Sequence, residues 1–151
     1  MAITRGYRQL VDEALKEVTT YTVEQVLERQ GIVQAISDVQ LVDIRDVREL
    51  EREGTIPLAL HAPRGMLEFW VDPESPYFKS VFANEDKELI LFCGGGWRSA
   101  LAAKTLQDMG MTNVAHMDGG FSAWKSAQAP IISYQEHKLQ NVTKAERHVK
   151  D

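Results

Sequence analysis

Residues 88–92 read E-L-I-L-F, a short apolar run that ends in Cys93 and three consecutive glycines. A run this short, with no polar alternation, suits a strand covered on both faces. After the glycines the period changes: Ala102, Leu106 and Met109 fall on one helical stripe, and Gly110 ends it. A buried strand feeding straight into a helix is half of a β-α-β unit. Its next strand must run parallel, through a right-handed crossover.

The same alternation extends along most of the chain. Tyr7, Leu10, Val11, Ala14, Leu15 and Val18 form an amphipathic helical stripe. T-V-E-Q at 22–25 is a capping box, with Gly31 as terminator of the helix that it starts. V-Q-L-V-D-I from Val39 reads as a strand, and Asp46 with Glu49 as the cap of a helix that Gly54 ends. Leu58–Ala62 reads as a short strand, and Pro73 and Pro76 make a loop of 72–76. Val114–Met117 is a further strand, and Gly119-Gly120 turns into a short helix holding Phe121 and Trp124. The expected fold is α/β, a central parallel β-sheet flanked by helices on both faces. The expected division is an N-terminal amphipathic helix extension over 1–20, the α/β domain over 21–130, and a polar C-terminal tail or weak peripheral helix over 131–151.

Composition removes several function classes. Seventeen Lys and Arg against 22 Asp and Glu, a net charge of -5, argue against a nucleic-acid partner. No stretch approaches 18 apolar residues, so no membrane partner is expected. The first residues carry Asp12, Glu13 and Glu17 where a secretory signal would be apolar, which makes a cytoplasmic location the expectation. One cysteine permits no intramolecular disulfide, and His61, His116, His137 and His148 show no ligand pairing. Neither a metal nor a cofactor is expected. His61 and His116 have the spacing of sheet residues, and no proton-transfer role is assigned to either.

In open parallel sheets, ligands gather outside the carboxyl ends of the strands, which is where Cys93 falls. Gly94, Gly95 and Gly96 allow backbone N–H groups to turn inward as a nest. The helix behind supplies a positive N-terminus, and Arg98 adds a cation. A free cysteine is only a few per cent ionised at pH 7, and each feature favours its thiolate. Cys93 therefore reads as a nucleophile in an anion cradle, against the bland alternative of a buried core cysteine. A dinucleotide fingerprint over Gly94, Gly96 and Ser99, with Asp118 downstream, is disfavoured. Ser99 replaces its third glycine, and only 33 residues follow Asp118.

Four blocks in order then resemble the rhodanese (sulfurtransferase) family: L-V-D-I-R at 41–45, G-T-I-P at 54–57 with Ala59, C-G-G-G-W-R-S at 93–99, and G-G-F-S-A-W at 119–124. The resemblance covers about residues 22–128. It implies that Cys93 carries a sulfane sulfur as a persulfide, from a small-molecule donor to a thiol, a cyanide-like acceptor or a protein acceptor. Cys93 and Arg98 would be catalytic, and Gly94, Gly95, Gly96, Trp97 and Ser99 would bind substrate. Four residues separate Cys93 from Arg98, as in sulfurtransferases; the related dual-specificity phosphatases and arsenate reductases have five. A non-catalytic binding or regulatory module is the first alternative and a phosphatase or arsenate reductase the second. Thr55 stands where the family usually has His and Leu58 where it usually has Gly, and no cation lies between Cys93 and Arg98. Asp43 and Arg45 read as a structural ion pair, Arg64 as a surface residue ahead of one that reaches the pocket, and Trp97 equally as a packing or a pocket residue.

Overall fold

The computed structural model describes residues 2–31 and 38–140. Residues 141–151 of the expected tail, with His148, lie outside them. The order is α1 (Tyr7–Glu17), β1 (Thr19–Tyr21), α2 (Val23–Gly31), β2 (Val39–Asp43), α3 (Val47–Glu53), β3 (Leu60–His61), α4 (Leu67–Val71), β4 (Glu88–Phe92), α5 (Trp97–Asp108), β5 (Val114–Met117) and α6 (Gly120–Ser126). Residues 134–140 form a further helix. The strands make one five-stranded sheet in the order β1-β5-β4-β2-β3, parallel at every pairing. The α/β expectation holds.

Alternation along β4 divides the core. Leu89, Leu91 and Cys93 join Val42, Ile44, Leu67, Ala102 and Leu106 on one face of the sheet. Ile90 and Phe92 join Val26, Ile56, Met117 and Trp124 on the other. Both faces are covered, which is why E-L-I-L-F shows no polar alternation. The Thr22 capping box forms as expected: the Gln25 N–H donates to Thr22 Oγ1 at 3.1 Å, and the Thr22 N–H to Gln25 Oε1 at 2.9 Å.

Three local expectations change. The stripe of α1 is narrower than its spacing suggests, because Tyr7, Leu10 and Leu15 stay exposed while Val11 and Ala14 pack on Ala100 of α5. Residues 19–21, too short for a period to register, add the edge strand β1 beside β5. The strand expected over 58–62 shrinks to Leu60–His61, because Leu58 turns the chain with φ +67°. Beyond Pro130, Ile132 exchanges two backbone hydrogen bonds of 2.9 Å with Thr55, and buried His137 sets Nε2 2.6 Å from the Ala59 carbonyl. Residues 131–140 are thus seated on the α/β domain. No described helix is long and apolar enough to cross a membrane.

Candidate active site

β4, the central strand, brings Cys93 to the carboxyl edge of the sheet. Its side chain is buried under the loop that follows. Gly96 has φ +111°, a conformation that L side chains rarely adopt, and it aims its N–H at the Cys93 Sγ across 3.1 Å. That amide is the inward donor expected of a glycine nest. α5 begins at the next residue.

The fourth block of the resemblance serves this loop. The Phe121 N–H donates to the Cys93 carbonyl at 2.7 Å, and the Ser122 N–H to the Gly94 carbonyl at 3.0 Å. The first turn of α6 therefore grips the loop by its backbone. A Cβ on Gly120 would lie 2.4 Å from the Cys93 carbonyl oxygen, so only glycine permits this approach.

Arg98 is not a free cation. Its Nη1 and Nη2 donate to Glu49 Oε1 and Oε2 at 2.8 and 3.1 Å, a two-pronged clamp at the loop's rim. Glu49 was expected to help cap α3. Asp46 caps that helix by accepting the Arg48 N–H at 2.9 Å, and Glu49 reaches across to the loop instead. The guanidinium's hydrogen bonds hold the Glu49 carboxyl below the usual range, against the opposing effect of partial burial.

His116, which partners the expected site residue Ser99, is the part that sequence reasoning missed. The Cys93 Sγ lies 3.6 Å from Ser99 Oγ, which lies 3.0 Å from His116 Nδ1. On the ring's far side, Nε2 lies 3.0 Å from Thr20 Oγ1 of β1. Burial pushes the His116 imidazole below its ordinary value, with Asp118 partly opposing. The available signal was that β5 is apolar on both sides of His116. A histidine in a strand buried on both faces must find polar partners.

The other expectations resolve one by one. Asp43 and Arg45 are fully buried and paired, with Nη2 to Oδ2 at 2.8 Å and Nε to Oδ1 at 3.0 Å. Thr55, at the position where the family usually has His, donates its hydroxyl to Asp43 Oδ2 at 2.7 Å. Trp97 is half exposed, and its ring packs on Tyr7 of α1 at 5.1 Å between centroids, with the Arg8 guanidinium over it. Arg64 pairs with Glu68 at 2.6 Å on the surface side of its turn. The structure brings Cys93, Gly96, Arg98 and Ser99 together and turns Trp97 towards α1.

Comparison with known proteins agrees with this fold. The Rhodanese-like domain model matches residues 22–127. A sulfurtransferase of Allochromatium vinosum is 32% identical over 96 residues, covering 64% of this chain and 80% of that protein. The thiosulfate sulfurtransferase GlpE of Shewanella oneidensis is 34% identical over 91 residues, covering 60% and 80%. Among solved structures, a Rhodopseudomonas palustris protein of unknown function, described as a possible tyrosine phosphatase, is 51% identical. It superposes with a TM-score of 0.80 over 87% of this chain and 98% of that one. Fold, loop and match over residues 22–127 lead to one conclusion: the chain belongs to the rhodanese-like domain family.

Proposed function

We propose that this protein is a sulfurtransferase that moves a sulfane sulfur from a donor to a nucleophilic acceptor through a persulfide on Cys93. The observation that carries this reading is the Gly96 N–H aimed at the Cys93 Sγ. A backbone amide held in that direction stabilises negative charge on sulfur with no reorganisation during the reaction. The Cys93 thiolate attacks the outer sulfur of a donor such as thiosulfate, forming an S–S bond. The donor's own S–S bond breaks, and its electron pair leaves on sulfite. A thiol, cyanide or protein acceptor then attacks the outer sulfur, and Cys93 departs as the thiolate. Gly94, Gly95, Gly96 and Ser99 surround that sulfur in this scheme, and Arg98 holds the rim through Glu49. Trp97 supports the loop from the α1 side.

The description of the Rhodopseudomonas relative raises phosphate-ester hydrolysis as a second reading. Loop length weighs against it. Four residues between Cys93 and Arg98 suit one sulfur atom, and a tetrahedral oxyanion takes the wider five-residue cradle of the related dual-specificity phosphatases. Intact-protein mass spectrometry after thiosulfate and, separately, after mercaptopyruvate decides the matter. The expected result is a gain of one sulfur on Cys93, absent in Cys93→Ser. Hydrolysis of a phosphate ester with no gain from either donor would overturn the assignment.

A further inference from the structure

Buried hydrogen bonds lead away from the reactive sulfur to the opposite side of β5. Cys93 Sγ, Ser99 Oγ, the His116 ring and Thr20 Oγ1 are linked by steps of 3.6, 3.0 and 3.0 Å. Cys93, Ser99 and His116 are buried, while Thr20 lies exposed on the edge strand. We propose that Ser99, His116 and Thr20 form a proton relay between the Cys93 sulfur and solvent, with His116 as the positioning residue that turns the Ser99 hydroxyl towards the thiolate. This deepens the sulfurtransferase reading and rests on Cys93 being its nucleophile.

Proton counting sets the direction of each bond. Ser99 has a single O–H and three acceptors in reach: the Gly96 carbonyl at 3.2 Å, His116 Nδ1 and the Cys93 sulfur. When Cys93 is a thiol, S–H donates to Ser99 Oγ, Ser99 O–H to Nδ1, and Nε2–H to Thr20 Oγ1. When the proton leaves, every bond in the chain reverses. Thr20 O–H donates to Nε2, Nδ1–H to Ser99 Oγ, and Ser99 O–H to the thiolate. Each proton has moved to its next partner, and one has passed from Thr20 to water. Thiol and water become thiolate and hydronium, with nothing oxidised or reduced. The end state is the one in which the serine O–H no longer has the ring nitrogen as an acceptor and is free to face the sulfur.

A neutral imidazole is required, since a doubly protonated ring accepts from neither side. Burial favours that neutral form. The groups around the ring are consistent with it: α5 contributes Ser99, β1 contributes Thr20, and the register partner on β4 is Leu91. Asp118, at the end of its own strand, is the charge that bears on it and favours protonation.

The direct test is nitrogen NMR of protein carrying 15N-histidine, with His116 assigned by loss of its signals in His116→Asn. Nδ1 and Nε2 should exchange their protonated and unprotonated shifts as Cys93 passes from thiol to thiolate, and Cys93→Ser should lack that step. Ring nitrogens that stay unchanged across the pH range in which Cys93 becomes alkylatable would overturn the relay. A second test follows iodoacetamide alkylation against pH. His116→Leu should move the profile up by about one unit, a ten-fold loss of thiolate at a given pH below it. His116→Asn, which keeps a donor near the Nδ1 position, should recover most of that shift. An unmoved profile in folded His116→Leu would refute the role. Should that variant not fold, Thr20→Val on the exposed strand should move the profile the same way by less, and no movement there counts equally against the relay. Neither readout needs sulfur transfer. A failed sulfurtransferase reading would appear separately, as normal alkylation with no mass gain from any donor.

Discussion

Two arginines stand near the carboxyl edge of the same sheet, each gripped by a carboxylate in two-pronged fashion, and their surroundings are opposite. Arg45 is fully buried against Asp43, donates to the Gly54 carbonyl at 2.7 Å, and lies 4.1 Å above the Phe121 ring. Arg98 faces Glu49 with side chains 44% and 22% exposed. The first pair has water excluded from it, so removing either partner takes away the other's buried counter-charge. The second remains in contact with solvent, so it can open when an anion arrives. Hydrogen-bond geometry alone does not separate a locked ion pair from one that solvent reaches; burial does.

The largest expected effect follows from the closed pair. Asp43→Asn should lower unfolding free energy by about 3–5 kcal/mol, because Arg45 stays charged and buried without its buried counter-charge, and Glu53, 3.2 Å from its Nη1, is 40% exposed. Denaturant unfolding measures it, and a loss below about 1 kcal/mol would erase the contrast between the two arginines. Glu49→Gln should instead cost no more than the ~0.2–1 kcal/mol of an exposed pair. Its effect should appear in binding. Freed from its counter-ion, Arg98 should lower the apparent KM for thiosulfate by about two- to five-fold, the factor that ~0.5–1 kcal/mol supplies. An unchanged KM would mean that Arg98 does not meet the donor.

A smaller effect should come from adding a cation to the loop. Gly95 is the position for it, since nothing lies within 4 Å of a Cβ there, whereas a Cβ on Gly94 would sit 3.0 Å from Arg98 Nη2 and disturb the clamp. Gly95→Arg should lower the KM for thiosulfate by about two-fold in dilute buffer. Most of the gain should vanish near 0.1 M salt, where the screening length is ~10 Å. A gain that salt does not touch would point to packing rather than charge.

What the sequence disclosed and what it withheld follow the same division. Local patterns were legible: the capping box at Thr22, the buried run of β4, the glycine loop and the α5 stripe all depend on neighbours within a few residues. Arg45 was legible too, because Asp43 lies two residues away. Glu49 was not, since its partner is 49 residues further on, and its spacing from Asp46 imitated a capping box. His116 was missed for a similar reason. Its partners Ser99 and Thr20 come from a helix and an edge strand that only the order β1-β5-β4 brings to either side of the ring. Leu58 shows a third kind of limit. The sequence exposed it as a departure from the family's glycine, and the left-handed φ of +67° gives that departure its physical meaning.

The smallest effect is in the acid limb of stability, where the open pair and the buried histidine should separate by pH. His116 in the folded protein lies below its unfolded value of ~6.5. Between those two values the unfolded chain binds more protons, so stability falls as pH drops below about 6.5. Glu49 is likewise held below its unfolded value of ~4.3, chiefly by the Arg98 hydrogen bonds, so its contribution is present above that value and lost as pH falls through the folded one. The signs agree and the windows differ. His116→Asn should flatten the upper part of the decline and leave the lower part alone. Glu49→Gln should flatten only the lower part, by no more than the ~0.2–1 kcal/mol that a solvent-exposed partner allows. Asp46, held at about 2 by Arg48, titrates in both proteins and cancels in the difference. Denaturant unfolding at half-unit steps from pH 7 to 3 resolves the two windows. If Glu49→Gln kept the full decline below pH ~4.5, the Arg98 clamp would not persist in solution, and the contrast with Arg45 would become one between a pair and no pair.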